Sequence, residues 1–145
     1  MDDQPVFGQV NLIVNDMEAS IAFYRLLGVI VPDTDDPLNA HHRSVEASGF
    51  HLDLDSATFA QHWDSGWTGG DNGAVFGFHV SSRQAVDDIY ATLIDAGYEG
   101  EQPPYDAFFG ARFAVVRDPD RHSVGIMSPR QADFQSPAPS LEDLE

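Results

Sequence analysis

FGQVNLIVNDMEASIAFYRLLGV, residues 7–29, and VFGFHVSSRQAVDDIYATLIDAGY, residues 75–98, are two versions of one pattern. Each reads as a strand, a capped turn and an amphipathic helix. Laying Val14 over Val80 also aligns Gln9 with Val75 and Tyr24 with Tyr90. Both copies place a capping side chain three residues before an acid or amide, Asn15 with Glu18 and Ser81 with Gln84. That is capping-box spacing, in which each side chain satisfies an orphan N–H donor of a helix start. A self-similar sequence dictates the architecture, so the chain is read as two like halves.

In the first half, Val10, Leu12 and Val14 alternate as the buried face of a strand, which puts Gln9, Asn11 and Ile13 on the other face. Asn15 is expected to cap a helix from about Asp16 to Leu27, with Ile21, Tyr24 and Leu27 inward and Gly28 closing it. A short strand is expected over Val29–Val31, followed by the breaker-rich loop PDTDDPLNA. His42–Ala47 and Phe50–Asp55 read as a hairpin turning near Ser48-Gly49. Its second strand sets His51, Asp53 and Asp55 on one face and Phe50, Leu52 and Leu54 on the other. Ala57–Asp64 reads as a short helix, and GWTGGDNG connects the halves.

The second half repeats the plan. Val75–Val80 is a strand, and a helix capped by Ser81 carries Val86, Ile89, Leu93 and Ala96 inward and ends at Gly97. The stretch Gly100–Phe109 holds Pro103-Pro104, which suits an edge or loop. Ala111–Arg117 and His122–Met127 are strands joined by the turn DPDR. The Pro/Ser/acid composition from Pro129 onward predicts a mobile tail, or one docked on a neighbour. One domain over 1–128 results, with modules of about 6–64 and 74–128, then a tail over 129–145.

Composition narrows the function classes. The 145 residues carry 24 acids against 7 arginines and no lysine, a formal charge of −17. Lysine Schiff-base chemistry is excluded. Nucleic acid is not an expected partner, since phosphates need cations, whereas a cationic ligand is favoured. Cysteine is absent, so disulfides, thiolate metal sites and cysteine nucleophiles are excluded. No apolar run approaches a membrane span, and the acidic N-terminus MDDQPVFG lacks a signal-peptide pattern, so a cytoplasmic protein is expected. No serine nucleophile elbow or phosphate loop is present.

Strand parity places His79 with Val75 and Gly77, His51 and Asp55 beside Asp53, and Asn11 beside Gln9. His79 with Asp53 or Asp55 is a candidate general base with an orienting carboxylate. His41 and His42 are adjacent, so they point to opposite faces and do not chelate together, and His122 after DPDR reads as structural. Trp63, Trp67, Phe108 and Phe109 lie in connectors, where they can contact a flat or apolar ligand.

The stretches VNDMEASIAFYRLLGV, FHVSSRQAVDDIYATLIDAGY and FGARFAVVRDPDRHSVGIM together resemble the vicinal oxygen chelate superfamily. It includes glyoxalase I, bleomycin- and fosfomycin-resistance proteins, extradiol dioxygenases and methylmalonyl-CoA epimerase. The resemblance covers roughly residues 7–128 and departs at Arg121, where the family turn usually has glycine after DPD. It implies an α+β fold in which two βαβββ modules form a curved mixed sheet around a cleft, and it implies a homodimer. It also implies a divalent metal on four ligands, one from the first and one from the last strand of each module. Carried over, those positions are Gln9, Asp53, Val75 and Gly125. Gln9 and Asp53 have donors; valine and glycine have none, and two protein ligands would hold an ion weakly.

The resemblance therefore suggests a small-molecule binding protein of the bleomycin-resistance type with no cofactor. Its ligand-binding candidates are Gln9, Asn11, His51, Asp53, Asp55, Trp67, Val75, Gly77, His79, Phe108 and Gly125. The alternative is a glyoxalase- or dioxygenase-like enzyme with a rearranged centre, one divalent metal ion, and His79 as the candidate catalytic residue.

Overall fold

The structure, a computed structural model, describes residues 9–47, 49–63, 69, 74–140 and 142. The chain divides into two compact units, 1–70 and 71–145, each built on its own sheet.

Unit 1 runs β1 (Gln9–Val14), α1 (Met17–Leu26), β2 (His42–Ala47), β3 (Phe50–Ser56) and α2 (Ala57–Trp63). Its sheet has the order β1-β3-β2, with β1 parallel and β2 antiparallel to β3. Leu12, Val14, Leu52, Leu54 and Val45 share one buried face by register, and Ile21, Phe23 and Tyr24 of α1 are buried with them. The hairpin and the short helix α2 stand as the sequence predicts.

The helix starts do not. Asp16, not Asn15, caps α1 and accepts from the Ala19 N–H at 3.1 Å. Val29–Val31 forms no strand either, although Val29 and Val31 are buried and Ile30 is exposed in strand-like alternation. At its end, guanidinium groups rather than a ladder take the backbone acceptors. Arg25 donates to the Val31 carbonyl, and Arg43 donates to the Pro32 carbonyl at 2.5 Å. Among the described residues, unit 1 is thus one strand short of the expected module.

Unit 2 has the full set: β4 (Val75–His79), α3 (Arg83–Asp95), β5 (Gly100–Asp106), β6 (Arg112–Arg117) and β7 (Ser123–Met127). Its order is β4-β7-β6-β5, with β4 parallel to β7 and the diproline strand at the edge, its register shifted twice. A proline has no N–H for the ladder, so the edge is where it costs least. Ser82, not Ser81, caps α3 through the Ala85 N–H at 3.1 Å. Val86 and Leu93 are buried, but Ala96 is exposed because it already lies past the last helical turn.

The DPDR turn is organised by the buried Asp118. One carboxylate oxygen accepts from the Asp120 and His122 N–H groups, and the other meets His122 Nδ1 at 2.7 Å. Arg121 takes up the left-handed conformation, φ 68°, that glycine usually supplies.

The tail folds onto unit 2 rather than hanging free. The Gln131 N–H donates to the Gly110 carbonyl and the Ser136 N–H to that of Phe108, each at 3.0 Å. A 3-10 turn, Ala132–Phe134, sets the Phe134 ring 3.9 Å from the Arg83 guanidinium. Arg83 also binds the Gly110 carbonyl and Asp106, and its hydrogen bond holds the Asp106 carboxyl below the ordinary carboxylate value. The sequence left the tail either mobile or docked, and composition could not choose between them because the attachments are backbone bonds and one ring against a cation. Among the described residues, no helix is long and apolar enough to cross a membrane.

Candidate functional site

The face of the unit 1 sheet opposite the apolar one is polar. Register sets Gln9, Asn11 and Ile13 of β1 against His51, Asp53 and Asp55 of β3, and these against Glu46, Ser44 and His42 of β2. Gln9 therefore stands opposite His51, and Asn11, not Gln9, stands opposite Asp53.

Two carboxylates are gathered at the centre of this face. The Asn11 amide bridges them, donating to Asp55 Oδ2 at 2.9 Å and to Asp53 Oδ2 at 3.3 Å. Asp55 is fully buried, and its other oxygen lies 2.5 Å from His42 Nδ1. A carboxylate only accepts, so Nδ1 carries the hydrogen, and in the Nδ1–H tautomer of the ring Nε2 is an acceptor. Phe59 of α2 stacks on the same imidazole at 5.1 Å, which fixes the ring plane.

His51 is placed differently. Its Nε2 lies 3.0 Å from both Ser44 Oγ and Asp53 Oδ1, but only the serine contact has hydrogen-bond geometry. Asp53 Oδ1 is therefore buried without a hydrogen bond among the described residues. We treat the His51–Asp53 approach as electrostatic, because a hydrogen bond depends on direction as well as distance.

The carboxylates find their imidazole partners on their own sheet, in His42 and His51; the expected base, His79, is exposed in unit 2. His42 was missed as a site residue although the hairpin implies it. A turn at 48–49 pairs Ala47 with Phe50, and counting back along the strands pairs His42 with Asp55.

In unit 2, Val75, Gly77 and His79 lie opposite Ser123, Gly125 and Met127, and all three are exposed. The Phe113 ring covers Gly125, where an added Cβ would stand 3.0 Å from a ring carbon. From Phe113, edge contacts run to Tyr105 at 6.2 Å and to Phe109 at 6.1 Å, and from Phe109 to Phe108 at 5.4 Å. Tyr105 and Phe108 are exposed, so this aromatic run is accessible at both ends. Phe108 was expected to be available for a flat or apolar ligand, and its exposure agrees. Trp67 and the side chains of Gln9 and Trp63 lie outside the described residues.

The four positions implied for a metal do not fit one. Val75 and Gly125 bring no side-chain donor, and at Gly125 a phenyl ring occupies the space in which a longer side chain would begin. The cluster of Asp118, Asp120 and His122 is spent on its own turn, since both oxygens of Asp118 are already hydrogen-bonded.

Comparison with known proteins adds the following. The family model for the Glyoxalase/Bleomycin resistance protein/Dioxygenase superfamily matches residues 6–126. A glyoxalase-related enzyme from Fulvimarina pelagi superposes with a TM-score of 0.74 at 22% identity, over 90% of this chain and 95% of that one. The hypothetical protein SA1046 from S. aureus gives 0.72 at 22% identity, over 89% and 95%. Lactoylglutathione lyase from Agrobacterium tumefaciens gives 0.62 at 18% identity, over 88% and 96%. No curated protein matches. At these identities the structural likeness speaks to the fold alone.

Proposed function

The chain belongs to the glyoxalase/bleomycin resistance protein/dioxygenase superfamily, and from that premise we propose that it binds a small molecule, as bleomycin-resistance proteins do, without a resident metal. The observation that carries this reading is the state of Gly125, a residue with no donor lying beneath the ring of Phe113. Together with Val75, it removes the second module's half of the ligand set. Ligand count governs the hold on a hard divalent ion, and what is left would leave such an ion mostly hydrated.

What remains favours a ligand that is cationic, aromatic or both. The unit 1 face concentrates Asp53 and Asp55, and the Tyr105–Phe113–Phe109–Phe108 run offers rings for stacking. The net charge of −17 adds a long-range pull on cations.

Elemental analysis of untagged protein, purified without chelators or nickel resin, is expected to find far less than one equivalent of metal per chain. One equivalent of zinc, nickel, manganese or iron would sink the reading and favour a lyase, isomerase or dioxygenase with a rearranged centre. A thermal-shift screen of cationic and aromatic compounds tests the binding half. A true ligand at a hundred times its Kd is expected to raise Tm by roughly 5–10 °C.

A further inference from the structure

Asp53 is 6% exposed, yet its Oδ1 accepts no hydrogen bond among the described residues. A buried carboxylate oxygen without a donor is costly, and a native fold keeps one where something else completes it. The nearest group is His51 Nε2, off the hydrogen-bond direction and engaged with Ser44. The His51 side chain is itself 39% exposed, so it is a cover that can swing away.

Diagonally across the β2–β3 pair stands His42. Its Nδ1 is tied to Asp55, and its Nε2 has no hydrogen-bond partner among the described residues. The side chain is 35% exposed, so that acceptor can be reached. No arginine lies on this face by register: Arg43, at the alternate position of β2, belongs to the apolar face and bonds the Pro32 carbonyl. The face therefore presents two acceptors one cross-strand diagonal apart, beside two carboxylates that have no arginine partner among the described residues.

We propose that the ligand of this face is a cation carrying at least two N–H donors, an amidinium, guanidinium or primary ammonium group. It binds Asp53 Oδ1 and His42 Nε2 and takes the place of His51. The inference rests on the small-molecule reading and deepens it by naming the donor chemistry. Charge alone does not meet the requirement, because an orphan acceptor needs a hydrogen directed at it.

Calorimetric titration of the full chain with three probes of similar shape tests this. Benzamidine has both charge and N–H donors, phenyltrimethylammonium has charge alone, and benzamide has donors without charge. Benzamidine is expected to bind at least about tenfold more tightly than either of the others. Asp53→Asn is expected to weaken benzamidine binding by roughly 10- to 100-fold. His42→Asn keeps a donor to Asp55 while deleting the Nε2 acceptor, and is expected to weaken it in the same direction. His51→Ala is expected to tighten it, since the competitor for Oδ1 is gone.

Equal affinity for phenyltrimethylammonium, or unchanged affinity in both the Asp53 and His42 variants, would overturn the N–H requirement while leaving the binding reading intact. Loss of benzamidine binding in His51→Ala would overturn the displacement. Binding of a neutral polycyclic aromatic with none of the three probes would overturn the cationic class alone. Failure of every probe and of that aromatic compound would overturn both. The probe series on the unmodified chain decides the matter even if a variant does not fold.

Discussion

At Gly125 a single hydrogen in place of a side chain lets the Phe113 ring come close to β7, and the same ring joins the aromatic run. An alanine there is expected to destabilise the protein by about 1–2 kcal/mol, the ordinary cost of overpacking. Gly77, its opposite number on β4, has nothing within 4 Å of an added Cβ, so Gly77→Ala is expected to be nearly neutral. Urea denaturation of the two variants separates a packing role at 125 from a general need for glycine in strands. Pairing Gly125→Ala with Phe113→Leu is expected to recover part of the loss, and the coupling in that cycle measures the contact directly. The sequence made Gly125 visible as a missing ligand but not as a packing site. Parity says which face a residue occupies, and it is silent on which ring bends over its neighbour.

Among the elements, strands were the most legible and helix starts the least. β1, β2, β3, β4, β6 and β7 stand where the sequence places strands, β1 and β3 because their side chains alternate between apolar and polar. Each helix cap was displaced by one residue for a physical reason. Asn15-Asp16 and Ser81-Ser82 are pairs of equally able caps, and the partner acid or amide at Glu18 or Gln84 favoured the wrong member. The structure uses the second of each pair, Asp16 to Ala19 and Ser82 to Ala85. Asp16→Ala and Ser82→Ala are accordingly expected to cost about 1 kcal/mol each in urea midpoint analysis. Ser81→Ala is expected to cost much less than Ser82→Ala, and the reverse ranking would mean that the cap of α3 lies where the sequence suggested. Val29–Val31 failed differently. Its alternation is real, but a strand also needs a partner backbone, and the guanidinium groups of Arg25 and Arg43 take the carbonyls of Val31 and the next residue, Pro32.

For the whole molecule, the repeat made the paired modules legible, while the polar site needed the register of β1, β3 and β2 before Asn11, His42 and Asp55 came together. Charge acts at the same scale and makes a prediction of opposite signs. With 24 acids against 7 arginines, the folded chain repels itself more than the expanded unfolded chain does. Added salt shortens the Debye length from about 30 Å at 0.01 M to about 8 Å at 0.15 M, which weakens that repulsion. The Tm of the free protein is therefore expected to rise over this range. The same screening weakens the attraction of a cation from solution, so the affinity for benzamidine is expected to fall as Tm rises. Melting curves and titrations at matched salt concentrations check both slopes. A benzamidine affinity that ignores salt while Tm climbs would mean the probe binds away from the acidic face, on the aromatic run of unit 2. Stacking on those rings draws less on ion pairing with carboxylates and so responds less to screening.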